Sequence, residues 1–233
     1  MKTTIYLAII FCLFGTSTPI FGQEVTINSN LKVESDGTLV YANAATVWGD
    51  LNVYPDATSR GSSNPPVWGG QAATAFKKNA AGSSQGVFLW MFSATTEQEL
   101  YFTIQLPHSY KHGSDLFPHV HWTTATGTPS STNVTWGLEY SVISIGGNFP
   151  TTESLTSSTI ISGIPTITGT GQHLITALGT ISGTGMNIST VLVCRVYRAA
   201  ANGTDTFANE AGFLGFDIHY EQDTQGSRSE FTK

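Results

Sequence analysis

Apolar and polar residues alternate along most of this chain with a period of two, which predicts β-strands rather than helices. The alternation is clearest in NVTWGLEYSVIS, residues 133–144, where Trp136, Leu138 and Tyr140 share one face and polar or small residues share the other. No window of useful length shows the 3.6-residue period of an amphipathic helix. The continuous apolar run GVFLWMFS, residues 86–93, is typical of a strand that is covered on both faces.

Eight strands are predicted from residue 86 onward: 86–93, 99–107, 115–124, 133–144, 158–162, 173–181, 190–199 and 212–222. Loops rich in Gly, Ser, Thr and Pro separate them, and this pattern without helices indicates an antiparallel β-sandwich. A jelly roll is the eight-strand arrangement that best limits exposed sheet edges. The predicted fold class is therefore all-β, an antiparallel β-sandwich of jelly-roll type with a short N-terminal β-extension.

The first 22 residues have the features of a signal peptide. Lys2 supplies a short positive region, and the apolar run IYLAIIFCLFG follows it. The run is too short for a membrane span. We expect cleavage before Gln23, export to the cell surface or the extracellular space, and no membrane association after cleavage.

Four segments are predicted: a signal peptide (1–22), an N-terminal β-extension (23–56), a Pro/Gly/Ser-rich linker (57–70) and the sandwich domain (71–233). The apolar positions of the extension are too sparse to close a core alone. The exported chain keeps one cysteine, Cys194, so an internal disulfide cannot stabilise it. We therefore expect a homo-oligomer, with a trimer favoured because fibre-like β-extensions often wind three chains together.

Charged residues make up 11% of the chain, well below the roughly 25% of ordinary soluble domains. The formal net charge of −6 becomes −7 when Lys2 leaves with the signal peptide. Nucleic-acid binding would require a basic stripe, so we expect none. Polar, uncharged, Thr-rich strands instead suit extracellular β-structure.

A histidine pair in DLFPHVHW is the strongest candidate for chemistry. Alternation places His119 and His121 on one strand face, and it places Glu139, Asp217 and His219 on the polar faces of two other strands. If the three strands are neighbours, His119, His121, Glu139 and His219 could bind a divalent metal ion. The other interpretation is a polar ladder in which these side chains pair across strands. The ladder is favoured, and no cofactor is then expected.

Other motifs do not decide between a metal site and a polar ladder. The sequence GSDLFPHVHW matches the first half of the cupin metal-binding pattern, but the glutamate of that pattern is missing after it. Motifs for a serine nucleophile, a phosphate loop or a zinc protease are absent from the sequence, so we expect no enzyme activity. Trp48, Trp68 and Tyr110 are candidates for a sugar-binding platform, although packing is the favoured role for each.

Three stretches together carry a resemblance to a known group of proteins: QLPHSYKHGSDLFPHVHW, WGLEY and FDIHYEQDTQGSRSEFTK. The chain resembles phage and prophage virion or tail-associated proteins over roughly residues 45–233. The resemblance implies a β-rich, oligomeric structural or appendage protein without catalysis. We expect a non-enzymatic structural or adhesive module of a virion, surface appendage or extracellular assembly, whose partners are other structural proteins or surface glycans. The alternatives are a carbohydrate-binding module and a cupin-like metal-binding protein.

Overall fold

The computed structural model describes residues 24–69, 88–124, 132–148, 157–159 and 171–233. In chain order its strands are β1 (Val25–Ile27), β2 (Leu31–Val33), β3 (Leu39–Tyr41), β4 (Val47–Val53), β5 (Ser59–Arg60), β6 (Val67–Gly69), β7 (Leu89–Phe92), β8 (Gln98–Gln105), β9 (Leu116–Thr124), β10 (Trp136–Ile143), β11 (Ser157–Thr159), β12 (His173–Ala177), β13 (Val191–Arg198) and β14 (Ala211–Gln222). The helical structure in the described ranges consists of two 3-10 turns, Asn43–Ala45 and Pro55–Ala57. The prediction of an all-β chain is confirmed.

The strands form three antiparallel sheets. A small sheet has the order β1-β2-β3, and a five-stranded sheet has the order β11-β10-β13-β8-β5. The third sheet has the order β12-β9-β14-β7-β6, and β4 pairs with β14 as well. Strand β9 pairs with one side of β14. Both β7 and β4 pair with the other side, β7 along Ala211–Phe213 and β4 along Phe216–Gln222.

The two large sheets pack face to face around one core. Phe102 of β8 meets Phe216 of β14 with ring centroids 4.7 Å apart, and Phe92 of β7 lies edge-on to Trp136 of β10 at 4.9 Å. Trp122 of β9 is fully buried between them. Burial of each such side chain stabilises the fold by about 1.5–3 kcal/mol. An antiparallel β-sandwich is thus confirmed, and its assignment to the jelly-roll type stays a prediction.

Alternation along β14 positions the candidate site. Phe216, Ile218 and Tyr220 are buried in the core, so the residues between them must lie on the outer face of the six-stranded sheet. A shift of one residue would expose the three apolar side chains, and burial therefore fixes the register of this strand.

The N-terminal part of the described chain, residues 24–69, contributes strands to all three sheets. Strands β1–β3 have no buried residue and attach to the segment after β14, where the Tyr41 N–H donates to the Asp223 carbonyl. Strand β4, which the sequence assigns to the extension, instead lies in the six-stranded sheet. In the predicted linker, β5 pairs with β8 and β6 pairs with β7. The predicted signal peptide lies outside the described residues.

Candidate functional site

Four histidines and two aspartates lie together on the outer face of the six-stranded sheet. Strand β9 contributes His119 and His121, β14 contributes Asp217 and His219, β12 contributes His173 and β4 contributes Asp50. Pairing brings Asp217 opposite His119 and brings His219 opposite Asp50. We call these six residues the histidine cluster.

The carboxylate of Asp217 is the centre of the histidine cluster. Its Oδ1 lies 3.4 Å from His119 Nδ1, and its Oδ2 lies 3.2 Å from His121 Nε2 and 3.4 Å from His219 Nε2. Three imidazoles therefore converge on one carboxylate. The His119 and His219 rings are also adjacent, with centroids 4.4 Å apart.

Asp217 is 5% exposed, which is unusual for a carboxylate on an outer sheet face. Burial alone would raise the pKa of Asp217, but the contact with His121 and the charges of the three histidines lower it below the ordinary value. For His119, burial lowers the pKa and the charge of His219 lowers it further, against the opposing effect of Asp217. The neighbouring histidines therefore favour the ionised form of the Asp217 carboxylate, against the effect of its burial.

Two polar atoms in the histidine cluster are buried without a hydrogen-bond partner, His119 Nδ1 and Asp217 Oδ1. They face each other at 3.4 Å, a separation longer than the 2.7–2.9 Å of a charge-assisted hydrogen bond. Buried polar atoms are nearly always satisfied in folded proteins, and an exception requires an explanation.

The outer members of the histidine cluster support the inner ones. His121 Nδ1 and His173 Nε2 are 2.8 Å apart and share a hydrogen bond. His219 Nε2 lies 3.3 Å from Asp50 Oδ1. Sequence reasoning missed His173 and Asp50. The alternation in HLITA does place His173 on a polar face, but nothing local shows that β12 pairs with β9.

Glu139, a predicted member of the site, is not part of the histidine cluster. It lies on β10 in the other large sheet, where it is 3.1 Å from Arg195 Nη1. The same guanidinium contacts Glu97 at 2.6 Å and Glu99 at 2.5 Å. Because Glu139 and His119 lie on the outer faces of opposite sheets, the fold separates them across the core.

A second feature is a cleft of about 370 Å³ lined by Pro55, Asp56, Thr58, Arg60, Trp68 and Trp90, which we call the aromatic cleft. Trp68 lies edge-on to Trp90, with ring centroids 4.9 Å apart. It stacks beside Phe88 at 6.5 Å with 27° between the planes. Trp90 Nε1–H donates to the Pro55 carbonyl at 2.8 Å, and the Arg60 guanidinium lies over the Trp90 ring at 5.7 Å.

The three predicted platform aromatics have different environments. Trp68 lines the aromatic cleft and is 46% exposed. Trp48 is 58% exposed and lies edge-on to Phe117, with centroids 5.3 Å apart. Tyr110 is fully buried, and its hydroxyl donates to the Ser114 carbonyl, so Tyr110 has the packing role that the sequence favours and does not form a platform.

A scan of the chain against protein-family models gives no match, and a search among curated proteins gives none either. The resemblance to virion and tail proteins therefore stays a prediction. Within the residues that the structure describes, no helix has the length and apolar character needed to cross a membrane.

Proposed function

We propose that the protein is an exported, non-enzymatic adhesive module of a surface appendage or extracellular assembly, and that it binds glycans in the aromatic cleft. The observation that carries this proposal is the exposed Trp68 beside Trp90 and Phe88, with Asp56 and Arg60 lining the same cleft. The low charge of the chain and the expected signal peptide agree with an extracellular role.

The chemistry of the aromatic cleft suits a sugar ring. The face of an aromatic ring carries partial negative charge, and the C–H bonds on one face of a pyranose carry partial positive charge. Ligand sites typically combine an apolar lining with a few polar groups that fix orientation. Trp68 provides the apolar surface, while Asp56 and Arg60 provide an acceptor and donors for sugar hydroxyls.

The aromatic cleft is also held in place before a ligand binds. The hydrogen bond from Trp90 to the Pro55 carbonyl fixes the indole, and Arg60 packs over its ring. A side chain that is already ordered loses less conformational entropy on binding, which favours affinity.

The test is binding of soluble polysaccharides to the exported protein by affinity electrophoresis and calorimetry. Trp68→Ala should abolish binding of any glycan that the wild type retains. Trp48→Ala is the matched control, since Trp48 is also an exposed tryptophan but lies outside the cleft, and it should bind as the wild type does. Failure of the wild type to bind across a broad glycan panel, or equal binding by Trp68→Ala, would contradict the proposal.

A second role, self-assembly, is favoured by the N-terminal sheet. Val25 and Ile27 of β1 are each about half exposed, and β1–β3 contain no buried residue. Copies of this sheet in other protomers could cover these apolar side chains, and a trimer is the expected stoichiometry. Light scattering should give a multiple of the monomer mass. Deletion of residues 24–42, which leaves β4 in place, should reduce it to the monomer mass, and a monomer before and after deletion would exclude this role.

A further inference from the structure

We propose that His119, Asp217 and His219 form a binding site for a divalent transition-metal ion of the zinc type. The site is independent of the aromatic cleft and of glycan binding. The sequence alone favours a polar ladder over a metal site on this face. The position of Asp217 in the structure favours the metal site instead.

The spacing of the ligand atoms is the first argument. One atom from each of the three side chains can be chosen so that all lie within 4.8 Å of one another. His119 Nδ1 lies 3.4 Å from Asp217 Oδ1, and His219 Nε2 lies 3.4 Å from the other carboxylate oxygen, Oδ2, so both oxygens of Asp217 face the site. Ligands about 2.0–2.1 Å from a tetrahedral zinc ion are themselves separated by roughly 3.3 Å. The side chains are therefore spaced as ligands of one ion are, and more widely than partners in an ordinary charge-assisted hydrogen bond.

Burial supplies the second, independent argument. Asp217 is about nineteen-twentieths buried, and its Oδ1 has no hydrogen-bond partner. His119 Nδ1, which faces this oxygen, is likewise buried and unpartnered. A buried polar atom without a partner destabilises a fold. An ion between these atoms would satisfy both at once.

The surrounding residues resemble the outer shell of a metal site. His121 Nε2 contacts the Asp217 carboxylate at 3.2 Å, and the other nitrogen of His121 is held by His173 at 2.8 Å. Ligands in protein metal sites are commonly oriented by such partners. His121 is therefore assigned as a positioning residue for Asp217.

The ligand types select the class of ion. Two imidazoles with one carboxylate suit zinc, iron and related transition metals, whereas Ca²⁺ and Mg²⁺ favour sites built from oxygen atoms. We therefore expect Zn²⁺ to bind and Ca²⁺ not to compete with it.

The experiment is calorimetric titration of tag-free, chelator-treated protein with ZnCl₂, followed by measurement of metal content and of Tm with and without zinc. Wild type should bind one Zn²⁺ per chain and gain thermal stability. His219→Ala should lose this binding. The variant should still fold, because the His219 side chain is 40% exposed, and circular dichroism checks its folding. His121→Ala should bind about 10- to 100-fold more weakly, as expected for an outer-shell partner.

His112→Ala is the matched control, because His112 is an exposed histidine outside the histidine cluster, and it should keep one zinc per chain. Wild type without stoichiometric zinc, or full binding by His219→Ala, would overturn the proposal. Loss of zinc in His112→Ala, or displacement of zinc by equimolar Ca²⁺, would overturn the assignment of the three ligands. Glycan binding by the same samples is scored separately, so failure of one proposal is distinguishable from failure of the other.

Discussion

The ion pair between Arg198 and Asp205 should be the most sensitive polar contact in the described core. Both side chains are fully buried. Arg198 Nη2 and Nε donate to the two carboxylate oxygens of Asp205 at 2.7 and 2.9 Å. The remaining guanidinium N–H groups donate to the carbonyls of Phe92, Asn209 and Phe207. All five donors of Arg198 are thus satisfied, and they join β13 to the end of β7 and to the loop before β14.

Asp205→Asn removes the negative charge and keeps the size of the side chain. Removal of one partner of a buried pair typically costs 3–5 kcal/mol, because the remaining charge is left uncompensated. Three carbonyl acceptors of Arg198 remain in the variant, so we expect the lower end of this range, about 3 kcal/mol. Such a loss is a large share of the roughly 5–15 kcal/mol that stabilises a typical domain.

Urea unfolding followed by tryptophan fluorescence measures this free energy. Glu97→Gln is the matched control, because Glu97 is the exposed partner of Arg195, and its loss should cost less than about 1 kcal/mol. If Asp205→Asn lowers the free energy of unfolding by no more than Glu97→Gln does, the argument from buried charge is refuted.

Three further outcomes are expected. Burial raises the pKa of Cys194 to about 12. Iodoacetamide should therefore leave this thiol unmodified in the native protein and label it in urea, which mass spectrometry would show. Rapid labelling of the native protein would contradict the burial of Cys194. Thr176→Val removes the hydroxyl that accepts a hydrogen bond from buried Trp122 Nε1 at 2.9 Å. The free energy of unfolding, measured in urea, should fall by about 1–3 kcal/mol. An unchanged midpoint would mean that water replaces the hydroxyl. N-terminal sequencing of exported protein should begin near Gln23, and retention of Met1 would exclude cleavage.

Alternation was sufficient to predict most of the described strands after residue 86 but not their partners, and it missed β5 and β6 in the predicted linker. The run FDIHYE correctly placed Asp217 and His219 on the polar side of a strand, because the alternating residues Phe216 and Ile218 must enter the core. Whether β9 or β10 lies beside β14 depends on contacts between distant parts of the chain, which local periodicity does not contain. For that reason Glu139 was grouped with the histidines, although the core separates it from them.

The burial of Asp217 was equally beyond the reach of the sequence. Alternation assigns a carboxylate to the outer face but does not show how many side chains will crowd around it there. The crowding comes from His119 and His121 of β9 and from His219 of β14 itself, which contact the carboxylate. Strands β4 and β12 add Asp50 and His173 beside these histidines. Strand β4 was predicted as part of the extension because its own residues, VWGDLNV, give no sign of the partner strand that covers them.

The central position of β14 also determines when the six-stranded sheet can form. Strand β14 pairs with β9, β7 and β4, yet it follows all three of them in the chain. Until it emerges from the ribosome, β4 and β9 have no common partner, and pairings that span most of the chain are slow to form. The six-stranded sheet is therefore expected to stay incomplete in the nascent protein until β14 has been synthesised.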